Sequence, residues 1–176
     1  QLDTFVLLGH SVGGGMGINY QNPAQSFDWP RFCQGLKGLV DEFGMGATRI
    51  RFEIGRFISA ACGYYVMQVL DIKSSHGELF AIGRGGTHHF RTPAAQGHDH
   101  PFTVVRGNQP AQVSDQRVTL VGQLCTPKDV LARQQPVAQL AIGDLLVFTL
   151  AGAYAWNISH QNFLMHEPPL KAFIEG

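Results

Sequence analysis

Apolar positions in this chain fall in short blocks, and the spacing inside each block predicts an element. Thr4-Phe5-Val6-Leu7-Leu8 is a continuous run of strand length, the pattern of a strand buried on both faces. Residues 9–17, Gly-His-Ser-Val-Gly-Gly-Gly-Met-Gly, are too glycine-rich for a regular element and predict a turn. Phe32, Leu36, Leu39, Val40 and Phe43 then recur at spacings of three and four. Ser26 or Asp28 is available as N-cap, Pro30 stands in the first turn, and Gly44 or Gly46 supplies the stop, so a helix is expected over about 28–43. From Thr48 to Ile54, Arg49, Arg51 and Glu53 alternate with Ile50, Phe52 and Ile54, the period-2 mark of a strand. Strand, glycine turn, helix and strand make a parallel crossover unit.

Beyond Gly55 the texture changes. Tyr64–Lys73, Leu79–Gly83, Phe102–Val105, Val118–Cys125 and Leu145–Leu150 are short β-rich runs between Gly, Pro, Asn and Asp, with no strong amphipathic helix among them. The expected fold class is α/β plus all-β, with the end of an α/β domain over residues 1–57 and a β-barrel or sandwich over 58–176.

Composition narrows the function classes. Hydrophobic residues at 44% and charged ones at 15% of 176 exclude a disordered chain. Thirteen basic against thirteen acidic residues leave no net charge, so neither nucleic acid nor an anionic membrane is an expected partner. The apolar runs fall short of the roughly 20 residues a membrane helix needs. The three cysteines form no Cys-x-x-Cys pair, which disfavours a disulfide framework or a structural zinc site and makes the cytoplasm the expected location. The chain opens on Gln1 with no initiator Met and no leader pattern, and is expected to begin inside a larger protein.

Candidate chemistry sits in the punctuation. Gly13, Gly14 and Gly15, between a strand and a helix, offer backbone N–H groups to a phosphate, or form a plain tight turn. Their spacing fits neither the Rossmann nor the Walker pattern. Glu53-Ile54-Gly55-Arg56 ends a predicted strand, where a carboxylate and a guanidinium suit the ring nitrogen and phosphate ends of one cofactor, or form a surface ion pair. His88, His89, His98 and His100 are candidate metal ligands or hydrogen-bonded loop histidines, and Arg91 beside them suits a substrate carboxylate. Cys125 and Asp129 lie in a predicted loop, and Tyr154 in Gly152-Ala153-Tyr154 follows a strand. Cys33 and Cys62 are expected in the core.

Taken in order, Gly13-Gly14-Gly15, Glu53-x-Gly55-Arg56, Cys125-x-x-x-Asp129 and Gly152-Ala153-Tyr154 resemble the second half of the fold-type III pyridoxal-phosphate decarboxylases, the ornithine, arginine and diaminopimelate decarboxylase group. The resemblance covers essentially the whole chain. It implies the end of a TIM-type barrel over 1–57, a Greek-key-like β-domain over 58–176, pyridoxal phosphate as cofactor, and a homodimer with shared active sites. It also implies that Gly13, Gly14, Gly15, Gly55 and Arg56 hold the cofactor phosphate, that Tyr154 reaches the phosphate or the cofactor, and that Glu53 keeps the ring nitrogen protonated. Arg91 would bind substrate. Cys125 and Asp129 would reach into a partner's site, with Cys125 as proton donor.

The departures carry information too. Glu-Ile-Gly-Arg stands where the group has Glu-Pro-Gly-Arg, and Thr126 replaces an acidic residue that reads a distal amine. Residues 61–67 and 84–93 look like the branch serving carboxylate-siderophore biosynthesis, which implies a citryl-amino acid conjugate as substrate. None of Lys37, Lys73, Lys128 or Lys171 stands in the context of the group's Schiff-base lysine, so a C-terminal fragment inactive alone is expected. A diaminopimelate- or ornithine-type decarboxylase, a cupin-like metal-binding β-domain with the four histidines as ligands, and a non-catalytic dimerisation module are the alternatives.

Overall fold

The computed structural model describes residues 9–175; the strand expected at Thr4–Leu8 lies outside them. The first described element is β1 (Gly9–Ser11), so the glycine turn begins later than its composition suggests. Helix α1 (Trp29–Glu42) starts where Asp28 Oδ1 accepts the Arg31 N–H at 3.0 Å and stops before Gly44, whose φ of +60° favours glycine. It returns the chain to β2 (Arg49–Arg51), which pairs with β1 in parallel, Gly9 opposite Arg49 and Ser11 opposite Arg51. The ladder is shorter than the alternation at 48–54, although the Glu53 N–H still reaches the Gly13 carbonyl at 2.7 Å.

Cys33 and Cys62 are exposed, against the expectation of core positions. The reason is that α1 buries no residue fully: its aromatic side meets a cluster of Phe27, Trp29, Phe32, Phe52 and Phe57, while Leu39 and Phe43 stay in solvent. Cys62 ends a 3-10 turn, Ala60–Cys62, that follows the short helix α2 (Gly55–Ser59). These two elements bridge the expected boundary at residue 57.

The core belongs to the six-stranded sheet that follows. Its strands are β3 (Tyr65–Ser75), β4 (Glu78–Gly83), β5 (Phe102–Val105), β6 (Val113–Val121), β7 (Val130–Leu140) and β8 (Leu145–Phe148), in the order β5-β8-β3-β4-β6-β7. Every neighbouring pair is antiparallel except β4 and β6, which run parallel with Leu79 opposite Val118. A parallel pair needs a crossover, and residues 84–112 provide it, carrying the short helix α3 (Thr92–Gln96) and β5 to the far edge. The edges then approach: the His100 N–H donates to Leu131 O at 3.1 Å, and the Arg133 N–H to Asp99 Oδ1 at 2.7 Å, so the sheet is nearly closed. Inside lie Met67, Val69, Phe90, Leu120, Leu131, Leu140, Leu146 and Phe148, each essentially without solvent contact.

Two strands depart from the sequence reading. β6 begins five residues before Val118, because Ser114, Gln116 and Arg117 are paired to β7 although they and Asp115 are exposed, and β7 went unread because polar residues and Pro136 interrupt it. As β7 is an edge strand, Pro136 can lack its N–H without breaking a ladder. No described helix is long and apolar enough to cross a membrane.

The burial pattern of β8 separates neighbours: Leu146 is fully buried and Leu145 is 37% exposed. Leu146→Ala is expected to lower unfolding free energy by about 2–5 kcal/mol and Leu145→Ala by under about 1 kcal/mol. Urea unfolding midpoints at unchanged slope check the difference.

Candidate active site

The glycine turn is shaped by its contact with the end of β2. A Cβ on Gly14 would strike the Glu53 carbonyl oxygen, and Gly13 and Gly15 sit at φ +81° and +100°, so three successive positions favour glycine. Glu53 itself is exposed, and its Oε1 accepts the Ser11 hydroxyl at 2.8 Å. Three residues on, Arg56 is half-buried. Its Nη1 donates to Tyr20 Oη at 2.8 Å, and its guanidinium carbon lies 4.3 Å from the centre of the Tyr154 ring. Among the described residues no carboxylate pairs with Arg56, so a phenol and an aromatic face hold the cation while its charge stays uncompensated. A glycine cradle and a guanidinium without a counter-ion fit a phosphate.

Tyr20, which no motif in the sequence marked, is 7% exposed and links this cluster to the sheet. Its ring stacks on His98 at 4.3 Å, and His98 Nε2 lies 3.0 Å from His100 Nδ1, whose own Nε2 is 2.7 Å from Thr149 O. A carbonyl only accepts, so neutral His100 carries its proton on Nε2 and receives the His98 N–H on Nδ1. Burial lowers the pKa of both rings, that of His100 to about 4. The alternation His98-Asp99-His100 is the signal that places both rings on one face of an extended segment.

Tyr154 reaches Arg56 because its loop is pinned. The Gly152 N–H donates to Ala60 O at 2.9 Å, a Cβ on Gly152 would strike Ser59 O, and the Thr92 hydroxyl donates to Tyr154 O, holding Tyr154 at φ +54°. Arg91, one residue before Thr92, is half-buried, and its Nη1 lies 3.5 Å from His160 Nδ1.

Cys125 and Asp129 occupy the loop between β6 and β7. Cys125 is exposed. Asp129, expected to touch substrate, is instead 2% exposed: Oδ1 accepts the Thr87 N–H at 2.6 Å and Oδ2 the Leu124 N–H at 2.9 Å. A Cβ on Gly86 or Gly122 would strike this carboxylate, which accounts for its inward turn. Beside it, Tyr65 Oη accepts the Gly86 N–H at 3.0 Å and donates to His89 Nδ1 at 3.3 Å, while burial raises the Tyr65 pKa. No hydrogen bond among the described residues joins this loop directly to the Arg56 cluster.

The histidine run is divided between the two places. His98 and His100 go to Tyr20, whereas His88 and His89 lie together, 4.0 Å between ring centres, with His166 5.0 Å from His88. Burial and the neighbouring imidazoles of His89 and His166 lower the His88 pKa to about 4. Among the described residues no three of His, Cys, Asp or Glu gather as metal ligands, so the cupin-like alternative has no geometric support there.

The nearly closed mixed sheet is the C-terminal sheet-domain architecture of the fold-type III decarboxylases. Diaminopimelate decarboxylase from Helicobacter pylori complexed with L-lysine superposes with a TM-score of 0.76 at 25% identity, over 89% of this chain and 37% of that one. The M. jannaschii diaminopimelate decarboxylase in complex with L-lysine gives 0.78 at 22%, over 91% and 36%. The chain belongs to the pyridoxal-dependent decarboxylase family, whose C-terminal sheet domain profile matches residues 20–152. A 2-[(L-alanin-3-ylcarbamoyl)methyl]-2-hydroxybutanedioate decarboxylase of Staphylococcus aureus is 47% identical over 165 residues, 90% of this chain and 41% of that protein. The chain thus spans about two fifths of the length of the relatives it matches.

Two outcomes follow from this geometry. Because burial depresses the folded-state pKa of His88, His89, His98 and His100, the unfolded chain binds more protons below the usual 6.5. Stability should therefore be full above about pH 6.5 and fall as pH drops towards about 4, read from urea midpoints across that range. Asp129→Asn should cost about 1.5–3 kcal/mol and speed amide exchange at Leu124 and Thr87, with the exposed Asp115→Asn as a silent control.

Proposed function

We propose that this chain is the C-terminal part of a pyridoxal-phosphate-dependent decarboxylase acting on a citryl-amino acid conjugate. The observation that carries the reading is the convergence of the Gly13–Gly15 cradle, Glu53 and the tyrosine-held Arg56 on one edge of the domain. The name of the S. aureus relative describes a substituted hydroxybutanedioate, a citryl conjugate, as what that enzyme decarboxylates. The relatives' remaining length is where the resemblance puts the Schiff-base lysine and most of the barrel. Residues 1–57 are read as the end of that barrel and 58–176 as the β-domain, in a cytoplasmic homodimer.

Within this assembly the backbone N–H groups of Gly13, Gly14, Gly15 and Gly55, with the Arg56 guanidinium and the Tyr154 phenol, hold the cofactor phosphate. Glu53, steadied by Ser11, would pair with the ring nitrogen of a bound cofactor and hold a proton there. When bound, the cofactor supplies an electron sink for the carbanion left by CO2 loss. Arg91 binds a substrate carboxylate. Cys125 would be the proton donor in the partner's site, and Asp129 sets the loop that presents it. Thr126 offers a distal amine a neutral hydroxyl and no counter-charge, which favours the citryl substrate over diaminopimelate or ornithine.

The test is CO2 release by the full-length enzyme loaded with pyridoxal phosphate and offered the citryl conjugate or diaminopimelate. Release from the former is expected. Glu53→Gln should lower kcat by about 100-fold, and Arg56→Ala should weaken cofactor binding by about tenfold. Release from diaminopimelate alone would overturn the substrate assignment.

A further inference from the structure

One buried group away from the phosphate cradle has no partner. His88 is 1% exposed, and among the described residues neither of its ring nitrogens meets a donor or acceptor. Its neighbours in the same turn do have partners: Tyr65 Oη donates to His89 Nδ1, and the remaining polar side-chain contacts of His89 and Arg91 come from one stretch of chain. His89 Nε2 donates to the Glu167 carbonyl at 2.7 Å, Arg91 Nη1 lies against His160 Nδ1 at 3.5 Å, and the His166 ring covers His88. Residues 160–167 therefore sit across the whole donor row. The stretch does so in a strained conformation, with Leu164 and Met165 at φ +53° and +57° and their side chains 56% and 87% exposed.

Resting on the decarboxylase reading above, we propose that His88, His89 and Arg91 form a binding site for the carboxylates of a polycarboxylate ligand, and that residues 160–167 compete with that ligand for these donors. The Glu167 carbonyl oxygen and the His160 ring nitrogen are the acceptors a carboxylate would replace. They engage two different side chains, His89 and Arg91, so a ligand with several carboxylates can replace both at once. The donor chemistry agrees: a guanidinium fork is shaped for a carboxylate, and neutral imidazoles add N–H groups without more charge to bury. The nearby carboxylate, Asp129, has both oxygens engaged by Thr87 and Leu124 and does not fill the row. Among the described residues nothing satisfies His88, which leaves both its nitrogens for a ligand.

Citrate is the probe, titrated into the full-length enzyme by calorimetry. His89→Gln and His88→Gln should each weaken citrate binding by about tenfold, and succinate, with one carboxylate fewer, should bind more weakly. His160→Ala carries the discriminating result: by freeing Arg91 it should tighten citrate binding several-fold, a gain that misfolding does not produce. Citrate affinity unchanged in His88→Gln and His89→Gln, or unchanged in His160→Ala, would overturn the proposal. Citryl decarboxylation measured alongside separates the two readings. Turnover with histidine-independent citrate binding sinks this site alone, whereas histidine-dependent binding without turnover sinks the substrate assignment and leaves the site standing.

Discussion

The parallel pairing of β4 with β6 is the constraint on which the rest of the sheet domain depends. Antiparallel neighbours are joined by tight turns, but a parallel pair must be joined by a chain that leaves the sheet and returns. Residues 84–112 make that excursion, and they carry Gly85, Gly86, the four clustered histidines, Arg91, Thr92 and β5. Almost every polar side chain of interest in the domain therefore lies on one connection. Its course is fixed at the start by the Asp129 carboxylate and at the end by β5 pairing with β8. Function gathers here because the topology requires a long connection over a rigid sheet.

Electrostatics joins this connection to the α/β part. Arg56 carries a charge that no described residue neutralises, yet its position is set on two sides, by Tyr20 through a hydrogen bond and by Tyr154 through a ring face. Each tyrosine is anchored in the sheet domain, Tyr20 by stacking on the His98–His100 pair and Tyr154 by Thr92. A lysine would keep the charge but lose the planar group that lies over a ring while donating sideways. The arginine is thus held by the domain that follows it in sequence rather than by its own five-residue helix.

The sequence made some of this legible and hid the rest for identifiable reasons. Helix α1 was readable to within a residue because its cap, first-turn proline and terminal glycine are local signals. The parallel unit followed from element order. β7 was hidden by Pro136 and its polar residues, since apolar alternation does not report an edge strand that faces solvent. Of the proposed site, the glycines, Glu53, Arg56 and Tyr154 were marked by motif, and the structure sets Gly14 against the Glu53 carbonyl and Arg56 against the Tyr154 ring. Tyr20 was not found, because its role comes from stacking on residues nearly eighty positions away. Asp129 was found but misplaced: a motif marks a residue without saying which way its carboxylate points. Cys33 and Cys62 show the same limit, because their burial depended on a covering layer that the described residues do not supply.

The first residues of the crossover also relate the two clusters that share no direct hydrogen bond. At one end Gly85 O accepts the Gln123 N–H at 2.8 Å and the Thr87 N–H grips Asp129, which fixes the loop bearing Cys125. At the other end Thr92 holds Tyr154, which lies against Arg56. Between them Phe90 is fully buried against His100 and Phe148, so the turn is wedged into the core and has little freedom to tilt. A packed wedge of this kind transmits displacement instead of absorbing it. Trimming Phe90 would therefore loosen the Cys125 loop and the Tyr154–Arg56 contact together while leaving every hydrogen-bonding group of both clusters in place.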